Sequence, residues 1–186
     1  MLDQIYQYIA YGYSVFPVYS VMNSKCTCGK QDCKSVGKHP KTQNGISDAT
    51  DNIKIIKEMS ELWMGSNIGI ATGMASGIVV LDVDPRDDGD ELLSVLTAQY
   101  GEFPKTVTAI SGGNGMHYYF KYPKSGIMTR NAFRPGLDFK SDYDWIIAPR
   151  SLHISGNIYK WKEGASPNDV PLAPLPDWLS NLIINS

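Results

Sequence analysis

Residues 77–85, GIVVLDVDP, constrain the chain more than any other segment. A β-branched apolar run of this kind reads as a strand, and successive side chains leave a strand on opposite faces. Val79, Leu81 and Val83 therefore pack to one side, while Asp82 and Asp84 project together from the other. Two carboxylates fixed on one face repel, and a hard divalent cation such as Mg2+ or Mn2+ relieves that repulsion by taking their oxygens as ligands. Taken alone, the pair reads equally well as the end of a strand entering the solvated turn PRDDGDE. A calcium loop fails on spacing, because the sixth position from Asp82 is Asp87 rather than glycine and the twelfth is Leu93.

The rest of the pattern is mixed. Leu2, Ile5 and Ile9 follow helical spacing and Gly12 offers a stop, which predicts a helix over 2–11. Residues 14–19 read as a strand that Pro17 pushes to a sheet edge. Helices are expected over 51–63, with Ile53, Ile56 and Met59 on one face, over 89–100, ended by Gly101, and over 176–184 after a proline-rich tail. Strands are expected over 67–71, 77–83, 106–110, 116–122 and 145–148. Residues 135–151, PGLDFKSDYDWIIAPRS, read as a hairpin with Leu137 and Phe139 on one face and Asp138 and Lys140 on the other. Asp138 sits on a strand as a metal ligand should, whereas Asp142 and Asp144 read as solvated turn residues. Helices and strands do not alternate strictly, so the fold class is α+β with a largely antiparallel sheet. At 186 residues the chain suits one well-buried domain. No stretch has the apolar length of a membrane span, and MLDQIYQYIA lacks the basic-then-apolar order of a signal peptide, so a cytoplasmic location is expected.

Residues 22–47 form a polar excursion too long for an ordinary connection unless something staples it. It holds all the cysteines, in the spacing C-x-C-x4-C-x5-H formed by Cys26, Cys28, Cys33 and His39. Three thiols cannot pair evenly, but three thiols and an imidazole are a ligand set for one structural Zn2+. Free thiols beside a chance histidine are the other reading. The same excursion concentrates Lys25, Lys30, Lys34, Lys38 and Lys41 against Asp32. A basic edge for nucleic acid or nucleotide is therefore available although the formal net charge is −2. A solvated lysine-rich loop fits the charge equally well.

A second polar feature is SGGNGMHYYF, residues 111–120. Ser111, Gly112 and Gly113 open a turn between two strands where backbone amides can face a phosphate. In the strand that follows, His117, Tyr119 and Lys121 share one face and Met116, Tyr118, Phe120 and Tyr122 the other. A glycine hairpin beside a structural histidine is the plainer reading, and His153 is expected to be structural as well.

In this order, LDVD, SGGNGMH and GLDFK resemble the three motifs of the Prim-Pol family, the bifunctional DNA primase-polymerase catalytic domains of the archaeo-eukaryotic primase superfamily. The flanking YIAYGYSVFPV, GKHPKT, NIGIATG, APRS and HISGNIYKW fit as well, so the likeness covers about residues 5–178. The resemblance implies a primase catalytic core, a mainly antiparallel RRM-like sheet flanked by helices, with a zinc-binding loop inserted at 22–47. It implies two Mg2+ or Mn2+ ions on Asp82, Asp84 and Asp138, and triphosphate contacts from Ser111, Gly112, Gly113, His117 and Lys140. One Zn2+ would sit on Cys26, Cys28, Cys33 and His39, as in family members with a zinc-bound stem here. The implied partners are a single-stranded DNA template, dNTPs or NTPs, and a helicase domain in the same or a partner protein. Residues 1–186 would be the N-terminal part of a longer plasmid or phage replication protein. Departures are Lys140 where arginine is frequent, Arg150 where a second proline is usual, and Asn114 in place of a loop glycine. A repair polymerase unable to prime and a non-catalytic zinc-bearing DNA-binding module are the rival functions.

Overall fold

The computed structural model describes residues 1–186. In chain order the helices are α1 (Leu2–Ala10), α2 (Ile53–Glu58), α3 (Ser60–Trp63), α4 (Gly89–Tyr100) and α5 (Asp177–Ile184). The strands are β1 (Val15–Val18), β2 (Val21–Met22), β3 (Lys25–Cys26), β4 (Asn67–Ala71), β5 (Ile78–Val83), β6 (Thr108–Ile110), β7 (Met116–Lys121), β8 (Arg130–Arg134), β9 (Leu137–Lys140), β10 (Trp145–Ile147), β11 (Lys160–Trp161) and β12 (Ala173–Pro174). A large sheet runs β11-β6-β7-β5-β9-β8, with β12 joined to β7, and a small sheet runs β1-β4-β10. All pairings are antiparallel except β12 with β7, so the expected α+β class with a largely antiparallel sheet is what the chain adopts.

Strand β5 is apolar on both faces because it is the middle of the stack. Ile78 and Val80 face the small sheet and α1, in a core with Ile5, Tyr13, Trp63, Ile70 and Tyr119. Val79, Leu81 and Val83 face α4 and α5, in a second core with Leu93, Leu96, Phe120, Phe139, Leu179 and Ile183. Each such side chain taken fully out of water contributes roughly 1.5–3 kcal/mol, so the alternation along β5 ties both layers to one strand. Pro17 lies in β1 at the edge of the small sheet, where its missing N–H removes no ladder bond.

The helix expected over 51–63 breaks at Met59 into α2 and α3, and Ile53 is exposed; Asn52 caps α2 by accepting a hydrogen bond from the Lys54 amide at 2.9 Å. Residues 135–151 are not a hairpin. β9 pairs with β5 and with β8, a strand the sequence pattern did not reveal, while β10 pairs with β4 in the other sheet. Residues 141–144 hand the chain from one sheet to the other. Thr72 Oγ1 donates to the Ser141 carbonyl at 2.6 Å, and Asp142 accepts from the Met74 amide at 2.9 Å and the Tyr122 hydroxyl at 2.6 Å. Asp142 is thus a tie across the sheet junction rather than a solvated residue.

The 22–47 excursion is fastened to the small sheet. Asn67, buried on β4, donates from Nδ2 to the carbonyls of Gly37 (2.9 Å) and Leu152 (2.8 Å), accepts from the Leu152 amide (2.9 Å), and meets Ser20 Oγ at 3.0 Å. Lys41 Nζ donates to the Leu62 carbonyl at 2.9 Å, securing the far end. No helix is long and apolar enough to cross a membrane. Removing the Asn67 amide strands buried backbone groups from both Gly37 and Leu152, so Asn67→Ala should lower unfolding free energy by about 2–4 kcal/mol; urea denaturation measures it.

Candidate active-site cleft

The two sheets part beyond Val80, and the space between them is a cleft of about 300 Å3. Its floor is the end of β5 and the start of β7; β10 forms one wall, and the 111–115 loop, His153 and Lys38 close the rest. Register decides what faces it. Asp82 lies opposite His117 on β7 and opposite Asp138 on β9, so three polar side chains from three strands stand in one row on one face.

Each carboxylate meets a cationic or imidazole group. His117 Nε2 is 3.4 Å from Asp82 Oδ1, and His117 Nδ1 is buried without a hydrogen-bond partner. Asp84, just past β5, caps the short turn that follows, accepting the Arg86 amide at 3.0 Å while the Arg86 guanidinium forks onto its carboxylate. Lys140 lies between Asp138 (3.2 Å) and Asp144 (3.5 Å). Burial works against ionising Asp82, but His117, Lys140 and Lys38 outweigh it and hold the carboxyl below its ordinary range. Hydrogen bonds from Arg86 do the same for Asp84. Burial, together with the charges of Lys38 and Arg86, pushes His153 below the usual imidazole range.

The glycine loop is a turn closed by its own hydrogen bonds. Ser111 N donates to the Gly115 carbonyl at 2.8 Å, and the Gly115 amide returns a bond to Ser111 Oγ at 2.9 Å. Asn114 occupies the left-handed region at φ 66°, which asparagine tolerates better than most residues, so it serves where glycine was expected. The amides of Gly112 and Gly113 donate to no protein acceptor. The Gly112 carbonyl accepts from Ser155 Oγ (2.8 Å) and Asn157 Nδ2 (3.0 Å), and a Cβ on Gly112 would lie 2.1 Å from the His153 Cβ.

Asp82, Asp84, Ser111, Gly113, His117 and Lys140 all line the cleft. Gly112 lies behind it against His153. Asp138 is beside Asp82 in register, but its carboxylate turns to Lys140 and accepts from the Ala132 amide at 2.5 Å instead of lining the cavity. Asp144 and His153, read as a solvated turn residue and a structural one, are both cleft residues. Arg86 and Tyr159 line it too. Asp144, His153 and Tyr159 have no spacing signal, because the transfer of the chain between sheets brings them there, whereas Arg86 arrives with the turn that Asp84 caps.

Cys26, Cys28, Cys33 and His39 come together as a second site. Their ligand atoms all lie within 4.8 Å of one another, and His39 Nε2 is 3.4 Å from Cys26 Sγ and 3.5 Å from Cys33 Sγ. Tetrahedral zinc with Zn–S near 2.3 Å and Zn–N near 2.0 Å separates such ligands by about 3.5 Å, so the set could hold one zinc ion. Burial opposes ionising the Cys26 thiol, but backbone hydrogen bonds from Gly37 and Cys28, aided by the Cys28 and His39 side chains, bring it down to about 6, toward the thiolate a metal requires. Asp82, Asp84 and Asp138 form no comparably closed set.

The family described as bifunctional DNA primase/polymerase, N-terminal (Prim-Pol), matches residues 6–178. No curated protein matches the chain.

Gly112→Ala should cost about 1–3 kcal/mol in chemical denaturation because His153 backs the loop there. Gly113→Ala, whose Cβ would meet only ordinary contacts at 3.8–3.9 Å, should stay within about 0.5 kcal/mol of wild type. Elemental analysis should find one zinc per chain, and Cys33→Ser should leave the metal substoichiometric.

Proposed function

The chain belongs to the Prim-Pol family, and on that premise we propose that it is a template-dependent DNA primase-polymerase that starts and extends chains on single-stranded DNA. The observation that carries the reading is the row of Asp138, Asp82 and His117 across adjacent strands, next to a loop whose Gly113 lines the cleft with its amide free to donate. Carboxylates that hold divalent cations thereby meet a place that receives phosphate.

Asp82 and Asp84 offer hard oxygen donors to the cleft, the donor type Mg2+ and Mn2+ prefer. Asp138 would complete the set by turning from Lys140 and the Ala132 amide. Two such ions, when bound, activate the attacking 3′ hydroxyl and neutralise charge on the departing pyrophosphate. The protein's own part is positioning. Ser111 and the Gly113 amide cradle phosphate oxygens while Gly112 sets the turn behind them, His117 donates from its ring to the triphosphate, and Lys140 offsets carboxylate charge until substrate arrives. Positioning and electrostatics of this kind carry phosphoryl transfer without a side-chain nucleophile. On the same reading the large sheet corresponds to the RRM-like core of the archaeo-eukaryotic primases, the Cys3His loop holds one Zn2+, and a helicase works beside the domain in a longer replication protein.

The test is incorporation of labelled dNTPs or NTPs on unprimed and primed single-stranded DNA with Mn2+ or Mg2+. Product is expected on both templates, and Asp82→Asn should lower the rate by at least about 10³-fold while folding is retained. Extension of primed DNA alone would reassign the domain to a polymerase that cannot start chains, and absence of product with either ion would remove the catalytic reading.

A further inference from the structure

We propose that Lys38, carried by the Cys3His loop, is a further substrate-binding residue whose ammonium takes phosphate oxygens of the incoming nucleoside triphosphate, and that the metal-closed loop sets its position. The proposal rests on the nucleotide reading of the cleft.

Lys38 lines the same cleft as Asp82, Asp84 and His153 although it comes from the inserted loop. The other two cations there are committed: Arg86 to Asp84, and Lys140 to Asp138 and Asp144. Lys38 Nζ makes no ion pair and no hydrogen bond with the protein, yet the residue is half-buried. Withdrawing an ammonium from water without an acceptor costs free energy that an anion in the cleft removes. The charged side chains lining the cleft are three cations, Lys38, Arg86 and Lys140, against three carboxylates, Asp82, Asp84 and Asp144. Without Lys38 the wall that meets an anionic substrate is itself negative. A compact ammonium suits phosphate oxygens as a point charge, and the unengaged Gly113 amide in the same cleft favours a phosphate group there.

The backbone on both sides of Lys38 is fixed. Gly37 has its carbonyl held by Asn67 at 2.9 Å, and at φ +69° a Cβ there would lie 2.6 Å from Val21 Cγ2. His39 on the other side has its ring 4.7 Å from that of Tyr19, its carbonyl accepts the Tyr19 amide at 3.0 Å, and its Nε2 belongs to the Cys3His set. Metal on that set would hold the lysine ready, so that less freedom is lost when nucleotide binds.

The test uses the zinc-replete protein with Mg2+. Binding of a non-hydrolysable dNTP is measured by calorimetry, binding of single-stranded DNA by anisotropy, and the KM for dNTP and kcat are taken on primed template. Lys38→Ala and Lys38→Gln should each raise the dNTP Kd and KM by roughly 10-fold or more, as loss of a hydrogen bond to a charged group does. DNA affinity and zinc content should stay at the wild-type level, and Lys38→Arg should recover part of the loss. Removing zinc from wild type with a selective chelator should weaken dNTP binding to a similar extent, and should add little in Lys38→Ala. Unchanged dNTP Kd and KM in both Lys38 variants would overturn the proposal while leaving the polymerase reading standing. So would weakened DNA binding with dNTP binding intact, which would make Lys38 a template contact. A wild-type protein that binds no nucleotide would instead overturn the polymerase reading, and this proposal with it.

Discussion

The alternation along β5 is the constraint on which everything else in this molecule depends. Through Leu81 the strand is buried on both faces, so it can only be the middle of a layered structure. One residue later the face that had carried Ile78 and Val80 carries Asp82, and the layers separate there. A carboxylate cannot be folded into an apolar core without large cost, so the position that ends the core also opens the cleft. The antiparallel neighbours then bring a histidine from one side and a second aspartate from the other, without any loop having to be shaped for the purpose.

Electrostatics in the cleft are balanced before any ligand arrives. Asp84 is held by Arg86, Asp138 and Asp144 share Lys140, and Asp82 lies beside His117. Asn67 links the two less regular parts of the wall, since it bonds both Gly37 in the cysteine loop and Leu152 next to His153. The cysteine loop is therefore built into the wall of the cleft as well as being a structural appendage.

The strands that carry the site were legible in the sequence because period-two patterning reports which face a side chain takes. Asp82 opposite to Leu81, His117 with Tyr119, and Asp138 opposite to Phe139 all stand as that pattern required. Spacing alone also gathered Cys26, Cys28, Cys33 and His39 correctly, since ligands so near in the chain need only a short loop to meet. Patterning does not report which strand pairs with which. That is why β9 and β10 read as a hairpin though they belong to different sheets, why β8, with exposed residues over much of its length, gives no strand signal, and why patterning does not show that Asp144 lines the cleft or that His153, which braces the glycine loop, lines it too. The break at Met59 reflects the same limit, because helical spacing over 51–63 cannot show that Ile56 and Trp63 are buried while Ile53 is left exposed.

The central claim is that Asp82 and Asp84 hold divalent cations together with a nucleotide. Titration of Mn2+ followed by electron paramagnetic resonance, with and without a non-hydrolysable dNTP, addresses it most directly. Wild type should bind Mn2+ more tightly when the nucleotide is present, and Asp82→Asn should lose that binding while keeping its zinc. Equal Mn2+ binding by the two proteins, or binding indifferent to nucleotide, would contradict the claim.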